Sequence, residues 1–78
     1  IVDKPTFDQH VEAHKAYVED LIAKGHQART GYWAQRGGGM MIFQATDIDE
    51  AKAIIAQDPL VQNNCVTYQL YEWKILVE

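Results

Sequence analysis

The stretch FDQHVEAHKAYV, residues 7–18, sets the first period of the chain. Counting about 100° per residue from Phe7 places Val11, His14, Val18, Leu21 and Ile22 within about 60° of it. Glu12, Lys15, Glu19, Asp20 and Ala23 fall on the far side. One apolar stripe of this kind is the pattern of an amphipathic helix. Thr6 or Asp8 is the expected cap, and Gly25 ends the helix after about Lys24. Its histidines differ in placement: His14 lies mid-stripe and His10 at the stripe's edge.

Outward from this helix the period changes. Ahead of it, Ile1-Val2-Asp3-Lys4-Pro5 reads as the end of a strand running into a turn, so a first strand is expected to be only partly contained in this sequence. Behind it, HQARTGYW (residues 26–33) and GMMIFQA (residues 39–45) read as strands joined by the loop AQRGGG. TDIDEAKAIIAQDP follows, with Asp47 and Glu50 spaced as a variant of the capping box, which predicts a helix to about Gln57 stopped by Pro59. CVTYQLYEW (residues 65–73) alternates β-branched and aromatic residues and predicts a last strand, with KILVE as an extended tail.

With a first strand supplied, the order is β-α-β-β-α-β: an α+β, ferredoxin-like chain with a mainly antiparallel sheet and both helices on one face. Residues 40–43 are apolar on both faces of their strand. The last strand sets Val66, Tyr68 and Leu70 on one face and Cys65, Tyr71 and Trp73 on the other. A sheet that is apolar on both sides and has helices for one calls for a second copy, and a homodimer is expected.

Bulk properties limit the functions available. Seventy-eight residues make one domain, and such a chain without disulfides usually gains stability by oligomerising. A formal net charge of −4 argues against nucleic-acid backbones as partners. No run approaches the ~20 apolar residues of a membrane span. Cys65 is the one cysteine, so no internal disulfide forms, and cytoplasmic residence is the expectation.

The chemistry concentrates in two residues. On the second helix, a count from Ala51 gathers Ile48, Ile54, Ile55 and Asp58. Each helix therefore carries one ionisable side chain, His14 or Asp58, in an otherwise apolar stripe. Asp58 at a helix C-terminus is opposed by the macrodipole, and a buried carboxylate or imidazole needs a partner. Both needs are met if the two pair. The carboxylate then orients the ring and fixes its tautomer, leaving the second nitrogen as a general acid or base. A His–Asp pair works this way in hydrolytic triads too, although no matching nucleophile is evident in the sequence. The plainer alternative is a hydrogen-bonded core histidine and an aspartate that starts a turn.

Other features carry less. His10 and His14 have chelating spacing, but the zincin pattern needs Glu where Val11 stands, so no metal site is assigned. Cys65, Asp8 and His26 are the conceivable third ligands. RGGG (residues 36–39) lacks the GK[ST] of a phosphate loop, and its glycines suit a hairpin. Thr30, Tyr32 and Trp33 can line a pocket above the dyad, or simply pack, and Arg36 can meet an anionic ligand or water.

In order along the chain, HKAYVEDLIAKG, a TG turn, GG before an apolar strand, DEAKAIIAQDPLV and a final YEW resemble the YciI-like (YCII-domain) family over essentially all 78 residues. The resemblance implies a dimeric α+β barrel in which two ferredoxin-like sheets pack face to face, and a His–Asp active site that matches His14 and Asp58. It also implies cofactor-independent isomerase- or lyase-type proton transfer on a small molecule, since an aromatic-ring dehydrochlorinase and muconolactone-isomerase-like enzymes are among its relatives. The rival is a non-catalytic ligand-binding or dimerisation module with a structural pair. Two departures, Gly31-Tyr32 where Gly-Pro is usual and Asn63-Asn64 where small residues follow, are expected near the pocket mouth. Thr30, Gly31, Tyr32, Trp33 and Arg36 are thus the expected substrate-binding residues, and the ligand does not carry over from any relative.

Overall fold

Helix α1 (Lys4–Ala23) begins earlier than the apolar stripe alone indicates. In the computed structural model, which describes residues 3–78, Asp3 is the cap, and its carboxylate accepts the Thr6 backbone N–H at 3.0 Å. Pro5 sits in the first turn, where its missing N–H costs nothing, instead of ending a strand. Ile1 and Val2, the expected remnant of a first strand, lie outside the described residues. At the other end Lys24 is the C-cap and Gly25 follows at φ +90°, a left-handed geometry suited to glycine.

The buried face of α1 is narrower than its apolar stripe. His14, Val18 and Leu21 are buried and Tyr17 packs beside them, whereas Ile22 is 52% exposed. Tyr17 and Leu21 lie on one flank of the wheel and Ile22 on the other, so docking on the Tyr17 side turns Ile22 outward.

Strands β1 (Arg29–Tyr32) and β2 (Gly39–Ile42) form an antiparallel hairpin pairing Thr30 with Met41 and Gly31 with Met40. Both are shorter than the apolar runs that predicted them. Trp33 closes the turn by donating to the Gly38 carbonyl at 3.0 Å. Two of the three loop glycines have structural reasons here. Gly38 lies at φ +88°, and a Cβ on Gly39 would collide with the Gly31 carbonyl oxygen. Thr30 and Gly31 are inside β1, so the expected TG turn is not a turn.

Helix α2 (Ile48–Ala56) opens with the expected box: Asp47 accepts the Glu50 N–H and Glu50 accepts the Thr46 N–H, each at 2.8 Å. Ala51, Ile54 and Ile55 are buried, while Ile48 in the first turn is 47% exposed. Pro59 does more than stop α2. It starts a short helix, α3 (Pro59–Gln62), capped by Asp58, whose carboxylate accepts the Leu60 N–H at 2.9 Å. Asp58 has thus left α2 altogether, and the macrodipole conflict expected of it does not arise.

The core lies between α1, α2 and one face of the hairpin: Val18, Leu21, Ala28 and Ile54, with Tyr17, Met41 and Phe43 packed against them. Tyr17 also donates its hydroxyl to the Ile54 carbonyl at 2.7 Å, joining α1 to α2. The opposite face of the hairpin is open, and Met40 on it is 55% exposed.

Among the described residues the structure is therefore a small α+β arrangement of three helices and a two-stranded antiparallel sheet. The last strand expected over residues 65–73 is absent: this segment makes no ladder with β1 or β2. A strand needs a neighbour to take its backbone hydrogen bonds, and among the described residues β1 and β2 pair with each other and not with this segment.

Candidate functional site: a buried imidazole between a carboxylate and a hydroxyl

Three elements meet at His14. The α1 stripe aims the ring inward, the α2–α3 junction supplies Asp58, and β1 supplies Thr30. His14 Nδ1 lies 2.8 Å from Oδ2 and 3.0 Å from Oδ1 of Asp58, and Nε2 lies 2.9 Å from Thr30 Oγ1. The imidazole and carboxylate side chains are 11% and 6% exposed, so this is a desolvated pair.

The arrangement fixes the tautomer by elimination. An ionised carboxylate only accepts, so Nδ1 carries the proton and donates it to Asp58. When the ring is neutral, its Nε2 accepts the Thr30 hydroxyl. Asp58 is steadied in turn by the Leu60 N–H, so the acid orients the ring and a backbone amide orients the acid. Among the described residues no buried side-chain nitrogen or oxygen lacks a partner. The neighbouring Tyr17 hydroxyl is pushed above its ordinary pKa, first by burial and then by the charge of Asp58.

The residues expected to bind ligand are only partly assembled. Thr30, Gly31, Tyr32 and Trp33 line an open depression of about 200 Å³ on the hairpin, together with Arg29, Met40 and Ile42, which sequence reasoning did not select. Arg36 does not line it. Its guanidinium stacks over the Trp33 ring at 5.4 Å from the centroid. Asn63 and Asn64 follow α3 and are not among the lining residues either. The β1–β2 register was the signal for Met40 and Ile42, which pair with Gly31 and Arg29. The cap role of Asp58 was readable from Asp-Pro itself, since aspartate before proline is also a helix start.

The conceivable metal ligands stay apart. No group of three His, Cys, Asp or Glu side chains gathers among the described residues. Asp8 pairs with Lys4 at 3.0 Å, and His26 donates from Nδ1 to the Gln44 carbonyl at 2.8 Å. No helix of the described residues is long and apolar enough to cross a membrane.

A small α+β domain whose first helix and second helical segment each offer one buried ionisable group is the class defined by this geometry. Comparison with known sequences assigns it more closely: the model of the YCII-related domain matches residues 2–74, and the chain belongs to that family. It is also similar to a Bacillus subtilis (strain 168) protein named Uncharacterized protein YjpA, at 28% identity over 67 residues, covering 86% of this chain and 79% of that one. No solved structure matches it significantly.

Proposed function

We propose that this YCII-domain protein is a cofactor-independent enzyme in which His14, oriented by Asp58, transfers protons on a small organic molecule in an isomerisation or elimination. The observation that carries the reading is the division of labour at the ring: Nδ1 is committed to a buried carboxylate, and Nε2 is directed to Thr30 on the exposed strand β1. Isomerisation and elimination suit such a site because they need a base and an acid and nothing more. Thr30, Gly31, Tyr32 and Trp33 are the lining that would hold the ligand, with Arg36 acting through Trp33.

The working form in this proposal is a cytoplasmic homodimer in which the complete ferredoxin-like sheet of one copy packs on that of another as an α+β barrel. What supports it is the apolar surface a single copy leaves to water: Tyr68, Tyr71 and Trp73 are 51%, 76% and 66% exposed.

The test is deuterium exchange from D2O into small cyclic ketones and unsaturated acids, followed by NMR. The wild type should accelerate exchange in a compound that fits, and His14→Ala should lose about 10²–10⁴ of that acceleration. One observation favours a second reading, a structural pair in a ligand-binding or dimerisation module: every buried polar side-chain atom among the described residues is already satisfied. Under that reading no compound exchanges faster, and His14→Ala lowers stability alone.

A further inference from the structure

We infer that Thr30 is a nucleophile: Asp58, His14 and Thr30 form an acyl-transfer relay in which the Thr30 hydroxyl attacks the carbonyl of a small carboxylic ester. The inference rests on the His14–Asp58 base proposed above and gives it a second activity. Acid, imidazole and hydroxyl stand in the order and at the distances that activate a hydroxyl, 2.8 Å from Oδ2 to Nδ1 and 2.9 Å from Nε2 to Oγ1.

Exposure separates this from mere packing. A hydroxyl retained to satisfy a buried imidazole has no need to be open to solvent. Thr30 is an exposed residue, whereas the ring and the acid behind it are 11% and 6% exposed. Thr30 is thus the member of the relay that belongs to the exposed strand β1.

The ladder supplies an oxyanion donor. Trp33 donates to Gly38, and hydrogen-bonded pairs alternate along an antiparallel hairpin, so Gly31–Met40 and Arg29–Ile42 are the bonded pairs. Thr30, between them, turns its own N–H away from β2 to the open edge of β1 in this two-stranded sheet. The backbone N–H of the attacking residue is one of the two donors that stabilise the oxyanion in chymotrypsin-type serine proteases.

Each step balances. As Oγ1 bonds to the carbonyl carbon, its proton passes to Nε2. Collapse of the tetrahedral adduct breaks the ester C–O bond, and the leaving alkoxide takes that proton. Water then attacks the acyl-threonine, giving its proton to Nε2, and Thr30 departs with the proton restored. Asp58 accepts from Nδ1 throughout.

The experiment is incubation of the full chain with p-nitrophenyl acetate, reading nitrophenolate release and peptide masses together. The expected result is an acetyl group on Thr30 with a burst of release. Both should fall about 100-fold or more in Thr30→Val and His14→Gln and persist in Thr30→Ser. Thr30→Ala replaces the valine variant if that one does not fold. Release that needs His14 but ignores Thr30→Val, with no acetyl on Thr30, would overturn the inference while leaving the general base intact. Release indifferent to both substitutions, or acetyl found only on lysines or Cys65, would remove the relay and its base together.

Discussion

Val18 and Leu21 in α1 are 4% and 3% exposed, whereas Tyr71 and Trp73 near the C-terminus are 76% and 66% exposed, although all four are large apolar side chains in regular patterns. The helical layer closes its hydrogen bonds within each segment, and Asp3, Asp47 and Asp58 cap the ends. The segment after Cys65 has the strongest β-forming composition in the chain and no ladder. A helix is specified by its own residues, whereas a strand is specified by its neighbour. The site belongs to the first region with one contribution from the hairpin, and it is the place where the two helical segments are locked together.

That contrast can be broken most forcefully at the lock. Asp58→Ala strips His14 and the Leu60 N–H of their shared partner and leaves a buried imidazole facing an apolar methyl. Urea unfolding should show a loss of about 3–5 kcal/mol. A loss below ~1 kcal/mol would mean that the helical layer does not depend on the pair.

The hairpin comes next. Gly39→Ala drives a methyl group into the Gly31 carbonyl, with backbone on both sides to absorb it. Thermal denaturation should report a cost of about 1–3 kcal/mol. The same change at Gly37, which has open space around its Cβ position, should cost much less.

Tyr17→Phe removes the hydroxyl bond to Ile54 and should cost about 0.5–1.5 kcal/mol. It also gives a pH signature. Burial raises the folded Tyr17 pKa above the ordinary tyrosine value, so its contribution is complete below the unfolded value and is lost as pH rises through the folded one. The stability gap between wild type and Tyr17→Phe should therefore narrow in that alkaline window and stay constant below it.

The smallest effect is expected in the exposed segment. Trp73→Lys should change the unfolding free energy of an isolated chain by less than ~0.5 kcal/mol. In the proposed dimer the same change should lower the sedimentation mass at micromolar concentration. A large loss of monomer stability would show that residues 65–73 already pack within one chain.

Legibility followed the same division. The stripe of α1, the Asp47–Glu50 box and the glycine-rich hairpin could all be read because their causes lie within a few residues. His14 and Asp58 were legible as inward-facing groups, although the count reached Asp58 by carrying the spacing of α2 past its last residue. Asp-Pro bends the chain there, and the carboxylate reaches the ring from the cap of α3. Thr30 as the second partner of the ring was not legible, because it depends on how the hairpin docks on α1. Lys15 pairs with Glu12 at 2.8 Å, a rotamer choice left open by a spacing that puts both Glu12 and Glu19 within reach. Such exposed pairs contribute little in any case.

The central claim is that the acid and the imidazole hold each other in one orientation, with the proton on the nitrogen that faces Asp58. Long-range proton–nitrogen NMR of histidine-labelled protein reads this directly, under conditions where the His14 ring is neutral. The spectrum should show Nδ1 protonated and Nε2 as the unprotonated acceptor, and Asp58→Asn should disturb that pattern. A ring carrying its proton on Nε2, or one averaging freely between tautomers in the wild type, would contradict the account.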